Sequence, residues 1–171
     1  MNSKLTLLAV VEILSALSMG IVILAATYQF LKFWGKRKYD IHHNNHAYSI
    51  FIASILFAVG LTMSGVIQPL LSLFRIFASR EMSNFELAWR FFVYGGIYIG
   101  LAYIFAVIIC ATGIFLYTVI TPIDEFSELK DNNIGVALIV GSIIITLSLL
   151  TNNGVTLLIE SFIPYPQGYP K

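Results

Sequence analysis

Four stretches of this chain carry no charged side chain: Ile13 to Leu31, Ala47 to Phe74, Phe91 to Ile123, and Ile134 to Ile159. A hydrocarbon layer about 30 Å thick is crossed by roughly 20 helical residues, so each run is long enough to span a bilayer. A soluble bundle needs a polar stripe along every helix, whereas these runs hold only scattered Ser, Thr, Gly and Asn. A membrane β-barrel needs many strands of about ten alternating residues, which continuous apolar runs do not provide. Only 11% of the 171 residues are charged, too few to cover a water-facing surface. The expected fold is therefore an all-α integral membrane protein with four transmembrane helices, its first environment the lipid bilayer.

The expected spans are 8–31, 47–74, 91–120 and 134–160. Residues 1–74 form a first two-helix unit, 75–90 a connection, 91–163 a second two-helix unit, and 164–171 a tail rich in Pro and Tyr that leaves the helix. Although Lys4 precedes an apolar run ending near Ala25-Ala26, that run is longer than a signal-peptide core and is read as a retained helix. A net charge of +1 argues against a broad nucleic-acid surface, so no nucleic acid is expected as a partner. The single cysteine, Cys110, permits no intrachain disulfide and no cysteine-based zinc site.

Four spans place the first and third connections on one side, and both termini with the second connection on the other. Lys32, Lys36, Arg37, Lys38 and Lys130 then balance Lys4, Arg75, Arg80, Arg90 and Lys171. The first span breaks the tie, because Lys4 faces four basic residues across it; the first connection is expected in the cytoplasm and both termini outside. Trp34, Trp89 and Tyr165 suit interface anchors.

Shifting the chain by 88 residues lays Asn44-Asn45 on Asn132-Asn133, Ala47 on Gly135, Ala53 on Gly141, Ser54 on Ser142, and Gly60 on Ser148. The halves read as copies of one unit, inserted in the same direction about an axis along the membrane normal. An asparagine at a helix start accepts from free backbone N–H groups that have no other partner in lipid, so Asn44, Asn45, Asn132 and Asn133 are cap candidates. Small residues seven apart share a face and let helices approach closely. They form the seams Ala47 with Ser54, Ala53 with Gly60, Gly135 with Ser142, and Gly141 with Ser148. The third span adds Gly96 and Gly100 on one face and Gly95, Ala102, Ala106, Cys110 and Gly113 on another.

The segment from Asp124-Glu125-Phe126-Ser127-Glu128-Leu129-Lys130-Asp131 through Asn132-Asn133 to Ile134-Gly135 and Gly141 resembles the signature of the domain-of-unknown-function family number 350. The likeness covers the second half well and the first half loosely, where basic and histidine residues replace the acidic turn. It implies a small bacterial inner-membrane protein with a duplicated two-helix unit. It implies no particular activity.

Glu12, near the start of the first span, reads in two ways. A carboxylate at membrane depth is costly and suggests reversible protonation or cation binding, with Thr27, Ser54, Thr62, Ser64, Thr112, Ser142, Thr146 and Ser148 along an ion path. Alternatively, Glu12 is an interfacial carboxylate paired with Arg75 or Arg90, and Glu160 at the end of the fourth span invites the same two readings. His42, His43 and His46 beside Asp40 have the spacing of a transition-metal site if helical, or are a solvated loop. The second half has Lys130, Asp131 and Ile134 at those positions, so such a site lies outside the shared unit. No nucleophile motif, phosphate loop or dinucleotide fingerprint is present, and neither an enzyme activity nor a cofactor is expected. The leading expectation is a structural or accessory subunit, assembled as a homo-oligomer or within a membrane complex. The alternative is a proton or cation channel or transporter subunit built around Glu12.

Overall fold

The computed structural model describes residues 3–39, 44–78, 83–121 and 124–163, apart from the side chains of residues 3–12, 14, 15, 38 and 84. All described elements are helices: α1 Ser3–Tyr39, α2 His46–Ser64, α3 Ile67–Ala78, α4 Asn84–Ile120, α5 Glu125–Lys130 and α6 Ile134–Ser161. Four stretches, with α2 and α3 counted together, are long and apolar enough to cross a membrane. The protein is a multi-pass helical membrane protein.

Two of these helices outrun the bilayer. α1 and α4 have 37 residues each, or about 55 Å at 1.5 Å per residue, so their polar ends project past the hydrocarbon. The basic residues Lys32, Lys36 and Arg37 thus continue α1 rather than forming a loop. α4 begins before its apolar run, where Ser83 Oγ accepts from the Glu86 N–H at 3.2 Å and Arg90 pairs with Glu86 at 2.7 Å one turn on.

The second apolar run is not one continuous helix. Pro69 has no N–H to offer the Gly65 carbonyl, and its ring crowds that carbonyl, so the α-helical ladder cannot run through. The Gly65 N–H turns back to the Thr62 carbonyl at 3.3 Å and the Val66 N–H to that of Met63 at 3.1 Å. Leu70 to Val66 at 3.0 Å restarts the helix. Ser64 Oγ donates to the Leu61 carbonyl at 2.6 Å, supplying the bond that Gly65 gave up.

α2 and α6 form the centre of the bundle, with α1 on the flank of α2 and α4 against both. Ala47 meets Asn132, Ser54 meets Gly141, Thr62 meets Ser148, and Gly65 meets Asn152. Both chains of contact ascend together, so α2 and α6 run parallel at separations near 88 residues. Close approach requires small residues at the crossings. A Cβ on Gly141 would strike Ser54, with the Ser54 Cβ 2.9 Å away, and one on Gly113 would lie 3.2 Å from the Ile144 Cα. Gly95, Ala102, Ala106, Cys110 and Gly113 all face inward on α4, while Phe92, Ile104, Phe115 and Val119 face out. That outward greasy surface suits lipid.

At one end of the bundle, Trp34 and Tyr39 of α1 pack on Phe126 of α5 at ring centroid distances of 5.2 Å and 4.6 Å, and Phe51 of α2 joins at 6.0 Å. Hydrogen bonds tie the outer helices to the centre and to each other: the Tyr48 hydroxyl donates to the Leu31 carbonyl at 2.5 Å, and Thr27 Oγ1 lies 3.2 Å from the Tyr103 hydroxyl.

If the α2–α6 crossing sets the packing, Gly141→Ala overpacks it and costs about 1–3 kcal/mol. Gly96→Ala, with nothing within 4 Å of the added carbon, is expected to stay within about 0.5 kcal/mol of wild type. Unfolding in mixed micelles of rising SDS fraction compares the two.

Candidate functional site: the asparagine junction and the small-residue seam

α2 and α6 begin side by side, and their first turns are bound by asparagines from both halves. Asn45 is 8% exposed. Its Oδ1 accepts from the Tyr48 N–H at 2.7 Å, and its Nδ2 donates to the carbonyls of Leu129 at 2.6 Å and Lys130 at 3.0 Å. One amide thus caps the start of α2 and the end of α5. Asn132 adopts a left-handed backbone, φ 63°, which asparagine tolerates better than most residues. From there its Oδ1 reaches the Ala47 N–H at 2.9 Å. Asn133 caps its own helix by accepting from the Val136 N–H at 3.3 Å, and its Nδ2 is held by Glu128 at 2.7 Å. Asn44 is exposed. The cap role follows from the residue type, but the exchange between halves, with Asn45 on α5 and Asn132 on α2, required the fold.

The small residues divide between inside and outside. Ala47, Ser54, Gly141 and Ser148 are buried along the α2–α6 contact. Ala53, Gly135 and Ser142 are exposed, and Gly60 is half-buried with nothing within 4 Å of a would-be Cβ. Gly96 and Gly100 are exposed and equally open. A helix can turn only one of its seams toward a given neighbour; α2 turns Ala47 and Ser54, α6 turns Gly141 and Ser148, and these are not matching pairs under the 88-residue shift.

Deeper in the bundle a hydroxyl clamp joins the same helices. Ser148 Oγ donates to the Ala58 carbonyl at 2.8 Å and lies 3.0 Å from Thr62 Oγ1, itself bonded to the Ala58 carbonyl at 3.1 Å. Beside the α2–α3 break, Thr156 Oγ1 and Asn152 Oδ1 crowd Gly65, the latter 2.9 Å from a would-be Cβ. Asn152 Oδ1 is fully enclosed and has no hydrogen-bond partner among the described residues. Sequence reasoning passed over Asn152 and the pairing of Thr62 with Ser148. The signal it could have used is an asparagine level with a proline-broken helix 88 residues earlier.

At the aromatic end, Glu125 is 6% exposed, and the Thr118 hydroxyl lies 3.0 Å from both carboxylate oxygens. The sequence presents this acid as one member of an acidic turn, a docking or sensor surface or else a plain polar loop, and gives no sign of its burial.

The Glu12 side chain and residues His42 and His43 lie outside the described residues. His46 is exposed as the first residue of α2, and among the described residues no group of three His, Cys, Asp or Glu could hold a metal ion. Glu160 is half-buried near the end of α6. Arg90 is engaged by Glu86. Trp34 is packed into the aromatic cluster, Trp89 is exposed, and Tyr165 lies outside the described residues.

The arrangement is a structural junction: its amides and hydroxyls satisfy backbone groups that hydrocarbon cannot. Asn45→Ala is expected to lose about 2 kcal/mol or more, since one cap is removed and two carbonyls lose a donor. Asn44→Ala should stay within about 0.5 kcal/mol of wild type, and SDS unfolding curves of the two variants give the difference.

No curated protein and no solved structure matches the chain. A family model does match, over residues 4–155, which takes in the first three spans, most of the fourth, both asparagine pairs and the acidic turn. The chain belongs to the family described as Domain of Unknown Function (DUF350).

Proposed function

We propose that this protein is a structural or accessory subunit that assembles with copies of itself in the bilayer, in the inner membrane of a bacterium. The observation that carries the reading is the open pair Gly96 and Gly100 on α4. They lie four residues apart on one face, are exposed, and have nothing within 4 Å of a would-be side chain. Lipid gives helices no hydrophobic reason to associate, so backbone approach through small residues is a main source of packing energy there. The inner seams are already used within the chain; this one is unfilled.

The near-constant separation of the α2–α6 contacts supports a duplicated two-helix unit. Sidedness follows the basic end of α1, which we place in the cytoplasm with both termini outside. The protein's role requires no catalysis. An ion path within one chain finds less support: Thr27, Ser54, Thr62, Thr112 and Ser142 each donate to a carbonyl four residues back on their own helix. The crossing of α2 and α6 is closed by Ser54 against Gly141 and Thr62 against Ser148.

Native mass spectrometry from lipid nanodiscs tests the reading. Wild type is expected as a defined multimer, and Gly96→Leu with Gly100→Leu should shift it toward monomer while unfolding stays near wild type. A wild-type monomer across accessible protein-to-lipid ratios removes the proposal.

A further inference from the structure

The end of the bundle that carries the aromatic cluster has two charged surfaces of opposite sign. Lys32, Lys36 and Arg37 of α1 are exposed, with Lys32 Nζ over the Tyr28 ring at 5.8 Å and the Arg37 guanidinium over the Phe33 ring at 5.6 Å. Trp34 turns toward α5, where it meets Phe126. Trp34 and Tyr39, about 140° apart around the helix, both reach Phe126, so the α5-facing direction lies between them; Lys36 and Arg37 each stand about 130° from it and face away from α5 of their own chain. On α5 and its flanks, Asp124 and Asp131 are exposed and Glu128 is half-buried, beside a single exposed base, Lys130. Among the described residues the one ion pair is Arg90 with Glu86, on another connection. Among the described residues, then, no ion pair joins the two surfaces.

We propose that the basic end of α1 docks on the acidic α5 turn of a neighbouring copy, so that protomers associate head to tail. This rests on the homo-oligomeric reading above and adds the direction of assembly. Because α1 and α4 run the same way and end on the same side, a neighbour placed alongside brings Lys36 and Arg37 level with Asp124 and Asp131. The two surfaces lie on opposite sides of the α1 end, so one two-fold contact cannot satisfy both; a repeated heterologous contact does, closing into a ring or extending as a chain. Exposed ion pairs are individually weak, and their contribution here is register and orientation on top of helix packing.

Charge exchange tests this. Two variants are purified in detergent and reconstituted each alone and together in the same bilayers: Lys36→Glu with Arg37→Glu, and Asp124→Asn with Asp131→Lys, the asparagine keeping the cap on α5. Native mass spectrometry across protein-to-lipid ratios is expected to show each variant dissociating at about tenfold higher concentration than wild type. The mixture should regain wild-type assembly, with the two variants alternating, since each then presents the charge the other lacks. Rescue by mixing also shows that both chains are folded; a neutral variant, Lys36→Gln with Arg37→Gln, gives a milder version of the same loss. Variants that assemble like wild type, or a mixture that gains nothing, overturn the head-to-tail contact while leaving oligomerisation itself intact. A monomeric wild type instead removes the underlying reading. Should Lys36→Glu with Arg37→Glu lose retained phosphatidylglycerol with no change in assembly, the basic end serves anionic lipid headgroups and the proposal fails.

Discussion

Hydrocarbon offers no hydrogen-bond partner, so every main-chain N–H and C=O in this molecule must be satisfied by the protein itself or reach the interface. The start of a helix is where this constraint is sharpest, because its first N–H groups have no partner within the helix. Here the problem is solved jointly. Asn45 and Asn132 supply the first turn of α2, Asn133 supplies that of α6, and Asn45 also binds the last carbonyls of α5. Because two asparagines cross between halves, the caps also fix the relative height of α2 and α6. Every contact further along the pair inherits that register.

From the register follows the use of small residues. With Ala47 level with Asn132, Ser54 arrives at Gly141 and Thr62 at Ser148. The tight crossing is bridged by hydroxyls that donate to carbonyls, a cheap way to place polarity in lipid, since the backbone acceptor is always near. Where the crossing has passed, α2 breaks at Gly65 because Pro69 withholds a donor, and Asn152 stands beside the break. α3 starts again after that break and finds its packing on α4.

Much of the architecture was readable from the chain because its cause is local. A run without charge is a span wherever it occurs, asparagine before an apolar run is a cap, and the alternation of Gly95, Ala102, Ala106, Cys110 and Gly113 with large residues marks an inward face by periodicity alone. Other features depend on what stands opposite. Ala47 and Gly135 coincide under the 88-residue shift, yet one is buried and the other exposed, because the bundle offers α2 and α6 different neighbours. Glu125 is buried with the Thr118 hydroxyl of α4 against its carboxylate, which nothing in an acidic turn announces.

The sequence by itself determined the medium and the number of crossings: so few charges, gathered between four long apolar runs, leave no other stable arrangement in water or lipid. It also determined where α2 and α6 start, because an asparagine cap is a property of one residue and the next three. Only the tertiary structure decided which small residues close the interior and which open on lipid, and which charges at the α1 end face away from α5. Those outcomes depend on pairing between segments far apart in the chain, and periodicity within one helix contains no information about the partner it meets.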